Sequence, residues 1–214
     1  YTLNIADKTG DDIIVNGTLE LFGNPPSLAS GANAIINSGG KVLAKNNLGA
    51  AASDDFARLT TVKFFTNAVF EWNTFFGFET AGQTYFNPAS TEIPVFRVST
   101  NISVGAGTPT IINGVLDVMA NLTWNSAGVK TFRNGITGTG TLNQAVGCGA
   151  FAITGTSAFG GYILSGSGPI NLNTSTGMQI NGNAFGNLGS NKTVNNGIFK
   201  ILSNGYLNTD IYTV

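Results

Sequence analysis

The sequence predicts an all-β fold: a single-stranded parallel β-helix, a solenoid of about ten coils of ~21 residues each. Three observations predict it. A six-residue phrase keeps returning, as NGTLEL from Asn16, NAVFEW from Asn67, NGVLDV from Asn113, NGIFKI from Asn196 and, more loosely, NGYLNT from Asn204. A threonine-led form of the phrase begins at Thr110, Thr131 and Thr193; the first interval is 21 (131 − 110) and the second, 62 (193 − 131), is close to three times that. Each phrase also alternates large apolar residues with polar ones, the period of a half-buried strand.

The strands follow from that alternation. Leu19 and Leu21 point one way and Thr18 and Glu20 the other; Phe70 and Trp72 oppose Glu71, Leu116 and Val118 oppose Asp117, and Phe199 and Ile201 oppose Lys200. The Asn-Gly ahead of each strand turns a corner at low cost, because both residues tolerate positive φ. A repeat of this length is too short for a βαβ unit, which needs roughly 30 residues. It suits two or three short strands joined by tight corners. Asn196 and Asn204 lie one side of a coil apart on this reading. Ten coils stacked at about 4.8 Å make a rod near 50 Å long, and the whole chain, residues 1–214, forms one domain.

Residues 50–98 break the period. From Asn67 to Asn113 the phrase advances 46 residues, two coils and a few residues more. The run ASDDFARL from Ala52 predicts one short helix capped by Ser53, with Asp54 and Asp55 at its positive end. Aromatic residues then crowd together: Phe64, Phe65, Phe70, Trp72, Phe75, Phe76, Phe78, Tyr85, Phe86 and Phe96. Two readings stand side by side. A long loop folds onto the rod and seals it with rings, or Phe75, Phe76, Phe78, Tyr85 and Phe86 form an exposed surface for a ligand or partner, such as sugar rings. Trp72 belongs inward in either case. From Thr137 to Ser190 tiny and polar residues alternate with single large ones, which suits the cramped interior of a narrow coil better than a linker.

Composition narrows the chemistry. Of 214 residues 42% are hydrophobic and only 10% charged, with a net charge of −1; nucleic-acid binding needs clustered Lys and Arg and is not expected. Histidine is absent, which removes the commonest general base and metal ligand. The one cysteine, Cys148, has no metal-ligand spacing around it and reads as a small buried hydrophobe. No apolar run spans a membrane. Glu20, Glu71 and Asp117 are expected on the outer face, in solvent. Asp11 and Asp12 are neighbours on a strand and so point to opposite faces. No converging carboxylates, cofactor or metal site can be read, and the chain is not expected to be an enzyme. Thr137, Thr139 and Thr141, with Thr154 and Thr156 a coil later, would need many more coils in register to bind ice, and read as ordinary strand formers. Asn16, Asn101, Asn121 and Asn191 each begin an Asn-x-Ser/Thr triplet, a frequency close to chance in so Asn- and Thr-rich a chain.

From residue 60 onward the wording resembles a family. FEWN from Phe70, GQTYFNP from Gly82, IPVFRV from Ile93, INGVLDV from Ile112 and KTFRNGITGTGTL from Lys130 resemble repetitive secreted or cell-surface β-helix proteins of the Bacteroidota, adhesin-like cargo of the type IX secretion system. The first fifty residues match only in style. The resemblance implies an extracellular surface fibre or adhesin that engages secretion machinery. No sorting domain is recognisable, and both ends run into strand-like segments, so a piece of a larger protein is expected. The expected function is a non-enzymatic structural or adhesive segment. Its expected partners are adjoining repeats or copies of itself through the end coils, and surface glycans. The alternatives are a carbohydrate-binding or carbohydrate-active module and a phage fibre or tailspike.

Overall fold

The computed structural model describes residues 4–22, 27–45, 54–74, 83–105, 110–125 and 127–144, and beyond them only the backbone of strands from Phe151–Ile153 to Tyr206–Leu207. It is an all-β solenoid of parallel strands. One coil shows the plan: strands Thr110–Ile112, Val115–Val118 and Asn121–Trp124 form three sides, and Lys130–Phe132 then lands on Thr110–Ile112 in parallel register. The middle side is a continuous ladder through Thr18–Leu21, Lys41–Ala44, Val69–Trp72, Val95–Val98, Val115–Val118 and Ile136–Gly138. Strands Ser157–Leu164, Met178–Phe185 and Phe199–Ile201 carry it onward.

The six rungs from Thr18 to Gly138 make about five turns, and the expected total of ten uniform coils is not met. The reason is coil length. Leu19 sits 23 residues below Val42, Val42 28 below Phe70, and Phe70 26 below Phe96, before Phe96, Leu116 and Ile136 settle to steps of 20. The lower coils use more chain per turn, so the same length yields fewer of them.

The recurring phrase is a statement of register. Its fourth residue falls in one column, in which Leu19, Phe70 and Leu116 stack with Val42, Phe96 and Ile136, and all but half-buried Leu19 are closed to solvent. Phe199 enters the same column by pairing with Met178. Tyr206–Leu207, within the phrase that begins at Asn204, pairs with the second half of Met178–Phe185. The threonine-led form misleads by one residue. Thr110 pairs with Lys130 and faces the interior, while Thr131 pairs with Ile111 and faces outward. The step between these two coils is 20 on both sides of the corner, not the 21 that the phrase suggests.

The interior is a stack of rings. Phe64 meets Phe86 edge-on at 5.0 Å, Phe70 lies 5.3 Å from Phe96, Tyr85 4.8 Å from Phe96, and Trp124 5.6 Å from Phe132. Phe70, Trp72, Tyr85, Phe96, Trp124 and Phe132 are fully buried. Corners are zipped by asparagines: the Asn37 amide donates to Asn16 Oδ1 at 2.7 Å, the Asn121 N–H to Asn101 Oδ1 at 2.9 Å, and the Asn134 amide to the Asn113 carbonyl at 3.3 Å. Rung-to-rung amide ladders of this kind satisfy corner groups that sheet pairing leaves over.

Three expectations are corrected. The helix expected from Ala52 is a single 3₁₀ turn, Asp54–Ala57, whose Phe56 and Ala57 are both buried, so its few residues are pinned to the core before an α-helix can propagate; Ser53 lies outside the described residues. Glu71 and Asp117 point outward but are not solvated, because neighbouring rungs fold basic side chains over them. Thr137 and Thr141 do not share a strand: Thr137 belongs to Ile136–Gly138 and Thr141 opens Thr141–Gln144, with a corner between them. The column of Thr137 holds Asp117, Arg97 and Glu71, which is no threonine rank. Thr154, Thr156, Asn191 and Cys148 lie outside the described residues.

Candidate functional site

Two arrangements of polar groups stand out on the rod. The first is a set of ion pairs that climbs the middle side. Lys41 Nζ meets Glu71 Oε2 at 3.1 Å, the Ser99 hydroxyl donates to Glu71 Oε1 at 2.8 Å, Arg97 Nε meets Asp117 Oδ2 at 2.7 Å, and Lys45 Nζ meets Glu20 Oε1 at 3.1 Å. Burial pushes the Glu71 carboxyl up more than any other single influence. The Ser99 hydroxyl, the Lys41 ammonium and the Arg97 charge together outweigh it and hold the group below its ordinary 4.5. Each of these carboxylates is matched to a cation one coil away. Among the described residues no cluster of three acidic, His or Cys side chains is placed to hold a metal ion.

The second is a cleft, and its origin is topological. On the first side a three-stranded ladder runs Ile13–Val15, Ala34–Ile36, Val62–Phe64 and ends there. A second ladder begins at Gln83–Tyr85 and continues through Thr110–Ile112 and Lys130–Phe132. Between the two ladders the chain from Phe86 to Pro94 swings outward instead of lying down as a strand. The space between it and Val62–Phe64 is a cleft of about 320 Å³, at the low end of the size of small-ligand pockets. Thr60, Lys63, Asn87, Ser90, Thr91 and Glu92 supply its polar lining. Val62, Phe64, Phe86 and Pro94 supply its apolar floor.

The loop is held in shape from within and at both ends. The Asn87 side chain accepts the Ala89 N–H at 2.9 Å, the Ser90 N–H donates to the Asn87 carbonyl at 3.0 Å, and the Glu92 N–H donates to the Ser90 hydroxyl at 3.2 Å. At one end the Phe86 N–H donates to the Ala57 carbonyl at 2.8 Å. At the other, Glu92 Oε2 accepts the Thr66 N–H at 2.8 Å and the Thr66 hydroxyl at 2.7 Å. These two Thr66 bonds, the hydroxyl first, hold the Glu92 carboxyl below its ordinary value, with a smaller contribution from Lys63. Phe86 takes φ 61°, a left-handed conformation that bulky residues seldom adopt. Its buried ring against Phe64 and Phe96, and its carbonyl accepting the Asn113 amide at 2.9 Å, offset that strain.

The aromatic surface expected from the sequence is not assembled by the residues described. Tyr85 is fully buried and Phe86 is 4% exposed, so both belong to the ring stack. Phe75, Phe76 and Phe78 lie outside the described residues. Sequence reading missed Lys63, Ser90 and Thr91. Their signal was the excess length between Asn67 and Asn113, which marks where a rung is bypassed. Chemically the cleft offers hydroxyls, an amide, a carboxylate and one ammonium. No protein-family model matches the chain, and neither any curated protein nor any solved structure matches it.

Proposed function

We propose that this chain is a non-enzymatic, extracellular structural or adhesive segment of a large surface or secreted protein, in which the solenoid serves as a stiff spacer. The observation that supports it most is the use of the outward charges. Glu20, Glu71 and Asp117 are engaged rung to rung with Lys45, Lys41 and Arg97. They stiffen the rod instead of converging on a groove where a glycosidic bond could be cleaved between two carboxylates. The likeness of its phrases to Bacteroidota surface proteins supports export by the type IX route. Ladders of this kind present strand edges at their end coils, and adjoining repeats or second copies are the partners proposed for them.

Antibodies raised against the folded chain should label intact, unpermeabilised source cells, and deletion of the region from its parent should reduce attachment or fibre length. Labelling only after permeabilisation overturns the reading. A carbohydrate-binding role is the second reading, favoured by the hydroxyl- and amide-lined cleft; a glycan array with wild type and Ser90→Trp tests it. A phage fibre or tailspike remains the third, and a trimer on sizing would favour it.

A further inference from the structure

We propose that the cleft beside Val62–Phe64 is a strand-addition site for an extended segment of a partner protein, one with small residues at two alternate positions and a carboxylate between them. This inference is independent of where the protein resides. It begins with which atoms line the cleft. Val62, Lys63 and Phe64 all do. Successive residues of a strand point to opposite faces, so only the edge of a strand touches one space with three in a row.

Backbone parity says which groups that edge presents. On the lower side the Ala34 N–H donates to the Thr61 carbonyl and the Phe65 N–H to the Ile36 carbonyl. Residues 61, 63 and 65 therefore spend their backbone groups on the coil below, and Val62 and Phe64 turn theirs toward the cleft. The Val62 N–H is taken by the Leu59 carbonyl at 3.2 Å. The Val62 carbonyl and both backbone groups of Phe64 then face the cleft, which is the donor and acceptor pattern that an added strand reads.

Size and charge define the occupant. Three extended residues cover about 10 Å along the strand and about 4.8 Å across it. Phe64 and Phe86 already fill the interior beneath, so the inward side chains of an added strand must be small. Lys63 is the outward residue at the middle of the edge, exposed, with its ammonium 4.1 Å from the Phe65 ring centre. Elsewhere on this rod an outward cation meets a carboxylate on the adjacent rung, directly in register for Arg97 and Asp117. The rung position above Lys63 lies in the cleft, and Glu92 on the far wall, its Oε2 held by Thr66, acts on Lys63 only through a minor charge interaction. An acidic residue at the centre of the incoming strand reproduces the pattern. The tied loop makes the slot preorganised, so little ordering opposes binding.

Amide NMR titration of the full chain tests this with three capped pentapeptides: a Ser-Ala-Asp-Ala-Ser core, the same with Lys for Asp, and the same with its central amide nitrogen methylated. The Asp peptide should shift the amides of Val62, Lys63, Phe64 and residues 90–92. The Lys and N-methyl peptides should bind about tenfold or more weakly. Lys63→Glu should reverse the charge preference, and Thr91→Trp, at a lining residue outside the loop ties, should block binding while leaving the melting temperature unchanged. No shifts with the Asp peptide at millimolar concentration, or equal binding of the N-methyl peptide, overturns the proposal. So does a hexose oligosaccharide that perturbs these amides where the Asp peptide does not.

Discussion

At the scale of single residues, the chain turns on a few side chains whose surroundings decide their chemistry. Glu71 is the clearest. Its carboxyl is depressed in the folded chain, so it contributes stability above its unfolded value near 4.5, and that contribution is lost as the pH falls through the lower folded value. Urea midpoints should hold near neutral pH and decline from about pH 4.5 downward, and Glu71→Gln should lower the neutral midpoint and flatten that decline. An unchanged acid slope in the variant would remove Glu71 from the account. Gly138 shows the backbone counterpart. It sits at φ 118°, and a Cβ there would land on the Val118 backbone of the coil below. Gly138→Ala should cost about 1–3 kcal/mol. Gly39→Ala, at φ 80° but with open space around it, should cost less. Equal thermal shifts for the two would mean that coil-to-coil contact at Gly138 is looser than its geometry implies. None of this was legible in the chain: a carboxylate at an outward position looks solvated, and every Gly among 29 looks alike until the coil that presses on it is known.

At the scale of elements, strand identity was readable and strand partners were half readable. Leu19, Phe70 and Leu116 occupy one column because the same six-residue phrase delivers them to the same distance from a corner. Once that spacing is fixed, the inward face follows from period two. The rings between Phe64 and Phe96 were legible as a concentration of aromatics, though whether they faced in or out was not. Phe96 touches Phe70, Tyr85 and Phe86 with ring centres 5.3, 4.8 and 6.3 Å away. Phe96→Ala should therefore cost about 3–5 kcal/mol, read from denaturant unfolding, since the rings around it come from two coils and cannot close together. A loss below about 1 kcal/mol would mean that the stack repacks. The cleft escaped sequence reading for a related reason. Its residues are ordinary loop formers, and only the bypass of a rung between Val62–Phe64 and Gln83–Tyr85 gives them a shared space.

At the scale of the whole molecule, stability is a sum of coils and the contacts between neighbours. Removing residues 115–134 joins Gly114 to Gly135 and sets Ile136 on Phe96, the two residues that flank Leu116 in the column. That variant should still melt cooperatively with a strand-type circular dichroism spectrum. Removing only residues 115–124 leaves every later strand out of register and should broaden the melt and weaken the strand signal, since only the coils before residue 115 keep their pairing. If the two deletions behave alike, the coil is not the unit of this fold. What the sequence determined by itself was the local rule: extended runs, apolar on one side, separated by Asn-Gly corners and repeated. Backbone sterics and side-chain alternation act within a few residues, so they are written in adjacent letters. Coil length, the 20-residue register that the threonine-led phrase misreads by one, the cover over Glu71 and Asp117, and the gap that opens the cleft were decided only when the chain stacked. Each depends on which residue of one coil lies above which residue of the last, and that is set by packing between segments 20 to 28 residues apart.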